Sequence, residues 1–190
     1  MDELAERAGV SKQTVYRHFV SKELLFVELV TSMTAGSGDD LDKLGGLPEE
    51  DAELAPYFTH YSVEELRIVV SPRLLRLRRL VIGEVGRFPA LAEALYQNGP
   101  RRSIRSLTTV ISELSRRGLL AAEDPEVAAT TLNWLVLAAP VNEAMLLGDD
   151  AIPPEAALPV HAAEATRVFL AAYASSTRSN ERGRDDGRDP

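Results

Sequence analysis

Lys12, Gln13, Tyr16 and Arg17 lie at the spacing of one helix face, and their types suit the reading of nucleic-acid bases. Arginine and lysine donate to O6 and N7 of guanine, and glutamine pairs with N6 and N7 of adenine. Such a face works only on a rod that fits the major groove, so the elements around it must supply that rod. Upstream, Met1, Leu4, Ala5 and Ala8 fall at i, i+3, i+4 and i+7, the apolar stripe of an amphipathic helix. Gly9 is able to take the left-handed conformation that closes a helix. Val10 is the apolar pivot of the turn, and Ser11 is a good N-cap for a second helix. Within residues 11–19, Val15 and Phe19 face inward while the four polar residues face out. Ser21 then caps a third helix from Lys22 to about Thr34. Two helices joined by a short glycine-containing turn make a helix-turn-helix, whose second helix enters the groove by its N-terminal part.

The residues Leu4, Ala5, Ala8, Gly9, Val10, Ser11, Thr14, Val15, Tyr16, His18, Phe19, Ser21, Lys22, Glu23 and Leu25 follow a recurring pattern. Over about the first thirty residues the chain thereby resembles the N-terminal domain of the TetR/AcrR family of bacterial transcriptional regulators. The resemblance implies a dimeric, ligand-responsive repressor bound to a palindromic double-stranded DNA operator. It makes Lys12, Gln13 and Arg17 candidate readers of base edges, and Thr14, Tyr16, His18 and Lys22 candidate phosphate clamps. In that family a further helix precedes this stretch and completes the domain's core. Its loss would leave Leu4, Ala8, Val15 and Phe19 partly in water, at about 25 cal/mol per Å2 of apolar area. The expectation is that the natural chain begins upstream of Met1. The alternative is a genuine short form, a dimeric ligand-binding or interaction protein that has lost DNA binding.

Composition is compatible with a reader of specific sites. The chain has 190 residues, 45% of them hydrophobic, and a net charge of −8. The overall charge argues against a protein coated for nucleic acid, yet residues 10–22 hold three cations and no acid. The absence of cysteine excludes a disulfide framework, a thiolate metal site and a cysteine nucleophile. The expected location is the cytoplasm, since no signal peptide and no membrane-length apolar run is evident. No phosphate-binding glycine loop, G-x-S-x-G elbow or H-E-x-x-H pair occurs, and His18, His60 and His161 stand far apart. No enzyme, cofactor or metal site is expected.

Beyond the head, helical patterns punctuated by proline and glycine predict an all-α chain. Residues 35–47 read as a loop, and Pro48 opens a helix to about Val70. Ser71-Pro72 starts the next, with Leu74, Leu77, Val81 and Val85 as its stripe to about Gly86. Further helices are predicted over 89–98, 101–117, 125–147 and from about Pro159 through Ala172. The organisation is a helix-turn-helix head lacking its first helix, with a connecting helix, over 1–34. A helical-bundle effector-binding and dimerisation domain follows over 35–174, and a disordered tail over 175–190. The helix from Lys22 is apolar on nearly every side, which predicts burial from several directions and a lever between head and body.

The stretch 71–100 also resembles the C-terminal domain of AefR-like members of the same family, a likeness spanning roughly residues 65–145. It implies an effector held between central helices and a homodimer formed through 125–147 and 159–174. Arg78, Phe88, Tyr96 and Trp134 are the candidate effector contacts. Each has a plainer reading. Arg78 sits with Arg73, Arg76 and Arg79 on a helix whose charges suit a solvated face, and Trp134 suits a packing or dimer anchor. Phe88 and Tyr96, like Phe58 and Tyr61, lie at helical spacings that suit a core. Pro140 withdraws a backbone donor from Val136 and predicts a kink.

Overall fold

A computed structural model of the chain describes residues 2–7, 9–11, 13, 14, 17, 22–34 and 46–175. Their order is α1 (Asp2–Arg7), α2 (Lys22–Thr34), α3 (Asp51–Val69), α4 (Pro72–Glu84), α5 (Pro89–Asn98), α6 (Pro100–Arg116), α7 (Pro125–Leu147) and α8 (Leu158–Tyr173). Short 3-10 turns at Asp149–Ala151 and Glu155–Ala157 separate the last two. Among the described residues, β pairing is confined to one isolated bridge between Leu120 and Ala174. The architecture is all-α.

Local chemistry sets most of the helix ends. Ser71 Oγ accepts the Leu74 N–H at 3.4 Å, and Pro72 occupies the first turn. Asp124 accepts the N–H groups of Glu126 and Val127 at 2.9 and 3.1 Å ahead of α7. Gly118, at φ +77°, lets the Leu119 N–H reach back to the Leu114 carbonyl at 3.0 Å and so closes α6. Three boundaries differ from expectation. The α3 helix begins at Asp51 rather than Pro48, because the Glu53 carboxylate takes the N–H groups of Glu49 and Glu50 at 2.7 and 3.4 Å. The α4 helix stops at Glu84, whose carbonyl accepts from Arg87 and Phe88 at 2.9 and 2.8 Å. Val85 is consequently exposed instead of extending the stripe. Only Gly99 separates α5 from α6, where a Cβ would approach the Leu95 carbonyl to 2.9 Å.

Two apolar clusters organise the helices. The larger joins α3, α6, α7 and α8 around Phe58, Leu66, Leu107, Ile111, Leu132 and Phe169. Phe169 meets Phe58 edge-on, with ring centroids 5.1 Å apart. Tyr61 is likewise buried in this core. The end of α8 is tied to the α6–α7 connection: Ala121 N–H donates to Tyr173 O at 2.7 Å, and Ser175 N–H to Leu119 O at 3.2 Å. Ser175, expected to begin the tail, is thus part of the body. The tail residues 176–190 and the loop residues 35–45 lie outside the described residues.

The smaller cluster gathers Val30 of α2 with Leu74, Leu77 and Val81 of α4 and Leu91, Ala94 and Leu95 of α5. Here the expected burial of α2 from several directions is corrected. Val30 is 1% exposed, but Leu24 and Leu29 are 52% and 44% exposed. Among the described side chains of α2, the apolar Leu24 and Leu29, away from Val30 and Val27, are thus left largely uncovered, whatever their hydropathy.

Candidate nucleic-acid interface and effector cavity

The head is built as the turn chemistry requires. Gly9 takes φ +66°, and the Val10 N–H reaches the Ala5 carbonyl at 3.0 Å, turning the chain out of α1. Val10 itself is exposed, whereas Ala5 is buried. Ser11 Oγ accepts the Thr14 N–H at 3.1 Å and lies 2.9 Å from Thr14 Oγ1, so the cap ties the first turn of the second helix. Gln13, Thr14 and Arg17 have helical backbone. Gln13 and Arg17, four residues apart, are both exposed, while Thr14 is half-buried against its cap. That spacing puts an amide and a guanidinium on one solvent-facing side. Lys12, Tyr16 and His18 lie outside the described residues, as does the side chain of Lys22, whose backbone begins α2.

The head reaches the body through α2, which packs chiefly on α5 and meets α4 in the apolar cluster around Val30. One side of α4 gives Leu74, Leu77 and Val81 to the cluster that seats Val30. Another side gives Arg78, Arg79, Ile82 and Gly83 to a cavity of about 950 Å3. The opposite wall is α7, with Trp134, Leu137, Ala138, Asn142, Met145 and Leu146 prominent. Its volume is that of a small-molecule site, and its walls are mostly apolar with a few polar groups. Arg78 and Leu137 also border a second space with room for about one water, beside Glu65 and Ser103.

Of the four candidate effector contacts, the structure brings Arg78 and Trp134 to this cavity. Phe88 instead packs on the smaller cluster, and Tyr96 is half-exposed on α5. Trp134 is 47% exposed, so its indole is a surface of the cavity rather than a filled core position. Nor are the α4 arginines one uniform solvated face. Arg73 and Arg76 are exposed. Arg79 donates to Asp149 at 2.7 Å and to the Ala144 carbonyl at 2.6 Å, and Arg76 shares Asp149 at 3.0 Å. These two hydrogen-bonded guanidinium groups hold the Asp149 carboxyl below its ordinary range. Arg78 is different: burial lowers its pKa, and the Glu65 carboxylate acts in the opposite sense. Glu65 is itself buried and accepts the Ser103 hydroxyl at 2.8 Å.

Sequence reasoning assigned no role to Glu65, Ser103, Asp149 or His161. His161 Nε2 lies 2.8 Å from the Val136 carbonyl, the acceptor that Pro140 leaves without its helical donor. The proline was the available signal, since an orphaned buried carbonyl demands a partner. Which residue answers it depends on how α8 packs on α7.

A helix-turn-helix head coupled through one helix to a cavity-bearing all-α body defines a one-component regulator, a DNA reader with its own sensor. Residues 58–175 match the AefR-like transcriptional repressor C-terminal domain, and residues 1–29 match the bacterial regulatory proteins of the tetR family. The chain belongs to the TetR family of transcriptional regulators. Its fold is similar to that of a Mesorhizobium loti MAFF303099 protein described as a TetR-family transcriptional regulator. That likeness has a TM-score of 0.80 at 34% identity and covers 91% of this chain and 85% of the other. The flavonoid-responsive regulator FrrA gives 0.73 at 29% identity, covering 93% and 87%. A TetR transcriptional regulator from Agrobacterium tumefaciens gives 0.74 at 22% identity, covering 91% and 82%, and speaks to the fold alone. No curated protein matches the chain in sequence. Members of this family are DNA-binding transcription factors and not enzymes. Among the described residues no helix is long and apolar enough to cross a membrane.

Proposed function

We propose that the chain is a homodimeric cytoplasmic repressor whose operator affinity falls when a small aromatic effector enters the cavity between α4 and α7. The observation that carries this reading is the double use of α4, which shares with α5 the apolar cluster that holds α2 and lines the cavity on another side. An occupant that shifts α4 by a fraction of a side chain also shifts part of the seat of the helix leading to the head. Effector affinity and operator affinity are then linked and must change reciprocally. The half-exposed Trp134 suits a planar ring, and one solved relative is named for its response to flavonoids. Exposed Val127, Leu146 and Val160 on α7 and α8 supply apolar surface for the dimer seam.

In this reading residues 1–34 are the reading head and 35–174 the sensing and dimerising body. Lys12, Gln13 and Arg17 meet base edges, while Thr14, Tyr16, His18 and Lys22 hold phosphates. The test is a competitive gel-shift on DNA that the protein itself selects from a random pool. Lys12→Ala and Arg17→Ala should each weaken binding by about 1–3 kcal/mol and relax the sequence preference. Wild-type affinity and preference in both variants would remove the groove assignment. Failure to enrich any sequence would point to a ligand-binding or interaction protein without DNA binding.

A further inference from the structure

We infer that the cavity between α4 and α7 takes the anion of an aromatic carboxylic acid, with its ring on Trp134 and its carboxylate on Arg78. The inference rests on the effector-responsive reading and names the chemical class of the effector.

Three features select this class. The cavity is walled largely by apolar groups such as Ile82, Leu137, Met145 and Leu146, and among the described residues no aspartate or glutamate lines it. A cationic ligand would therefore find no counter-charge there. The second feature is the charge count around Arg78. Arg76 and Arg79 share the single carboxylate of Asp149. Arg78 faces Glu65 electrostatically without hydrogen-bonding to it, while Glu65 takes the Ser103 hydroxyl instead. Among the described residues, Arg76, Arg78 and Arg79 are thus set against the two carboxylates of Asp149 and Glu65, one positive charge in excess beside the cavity. Of the two arginines that line it, Arg79 is hydrogen-bonded to Asp149 while Arg78 is not. A partly buried guanidinium with no hydrogen-bonded anion is costly, and a carboxylate offers it two parallel acceptors. One residual charge suits a monoanion better than a strongly hydrated phosphate dianion. Third, Trp134 presents a half-exposed aromatic face on the wall across from α4, so the rest of the ligand gains from a planar ring.

Trp134 is also the only tryptophan of the chain, so its emission reports directly on this cavity. The full chain would be titrated with trans-cinnamate and with its neutral isostere trans-cinnamamide. Saturable quenching by cinnamate is expected, with the amide weaker by about tenfold or more. Arg78→Met should bring cinnamate to the level of the amide, and Arg78→Lys should recover part of the difference. Equal affinity for acid and amide on the wild-type chain overturns the inference without relying on any variant. So does cinnamate binding that survives Arg78→Met unchanged. Emission that follows protein concentration but ignores both compounds overturns it too, and assigns the cavity to a second copy of the chain. If neither compound moves the emission while the chain still selects DNA, the carboxylate assignment falls and the regulator reading stands. Arg78-dependent cinnamate binding in a chain that selects no DNA upholds the site and removes the regulator reading.

Discussion

The two apolar clusters differ in depth, and the difference separates scaffold from joint. The larger cluster buries Phe58, Leu66, Leu107, Ile111, Leu114 and Phe169 completely, drawing chiefly on α3, α6, α7 and α8. The smaller one holds α2 to α4 and α5, and most of its members keep several per cent of their surface in contact with solvent. Among the described side chains of α2, the fully buried one is Val30. Apolar burial scales with area, so the bundle sets global stability and the junction contributes little to it. A junction of modest depth can be re-seated without unfolding the bundle, and in this chain the cavity lies against α4, one of the two helices that form its floor.

The strongest way to break the comparison is to hollow the bundle. Phe169→Ala removes a ring that contacts Phe58 and Tyr173 at centroid distances of 5.1 Å. It should cost about 3–5 kcal/mol of global stability, read as a lowered denaturant midpoint at unchanged slope. Next in size is His161→Ala. It leaves the buried Val136 carbonyl without a partner beside Pro140, at about 1–2 kcal/mol. His161→Gln, which keeps a donor, should recover part of that loss. A variant as stable as the wild type would mean that water from the adjoining space of about 210 Å3 satisfies the carbonyl.

Val30→Ala is comparable in energy and more telling about the joint. Two methyl-sized groups at ~0.8 kcal/mol each give a loss of roughly 1.5 kcal/mol. The loss should be local: hydrogen exchange should quicken across α2 while α6 and α8 keep their protection. Equal loss of protection in all three helices would show that bundle and junction unfold as one unit, and would remove the mechanical distinction.

Much of this was legible in the sequence where a single residue decides a local outcome. Gly9 and Gly118 turn the chain with positive φ, Asp124 and Ser71 cap, and prolines open α4, α5 and α7, so those boundaries followed from side-chain chemistry. Boundaries set by a competing side chain did not. The Glu53 carboxylate overrode Pro48, and nothing in the hydropathy of Val85 indicated that α4 would stop one residue before it. Burial was legible where a stripe faces a complete core, as for Ile104, Leu107, Ile111 and Leu114. It was not for α2, because an apolar residue is buried only if something packs against it, and that is a property of the neighbours. The same limit applies to Arg78 and Arg79. Adjacent and identical in type, they part company because Asp149, seventy residues from Arg79, comes within reach of one and not the other.

The smallest effect sharpens the comparison from the surface of the bundle. Glu113 accepts from Arg116 at 2.7 and 2.8 Å and from Arg117 at 2.7 Å, one turn along the same helix. These hydrogen bonds push its carboxyl down to about 2 from an ordinary 4.5. A depressed folded-state pKa contributes stability that is complete above the unfolded value and fades as pH falls through the folded one. The stability difference between wild type and Glu113→Gln should therefore be constant near neutral pH and shrink to nothing between about 4.5 and 2. It should also weaken with added salt, as solvent-screened pairs do. Asp149 is depressed in the same direction by Arg79 and Arg76, but it joins the end of α7 to α4. Asp149→Asn should share the acid-range trend and, unlike Glu113→Gln, should also alter the emission of Trp134 at neutral pH. Identical emission in the two variants would mean that the Asp149 link holds charge without holding the mouth of the cavity.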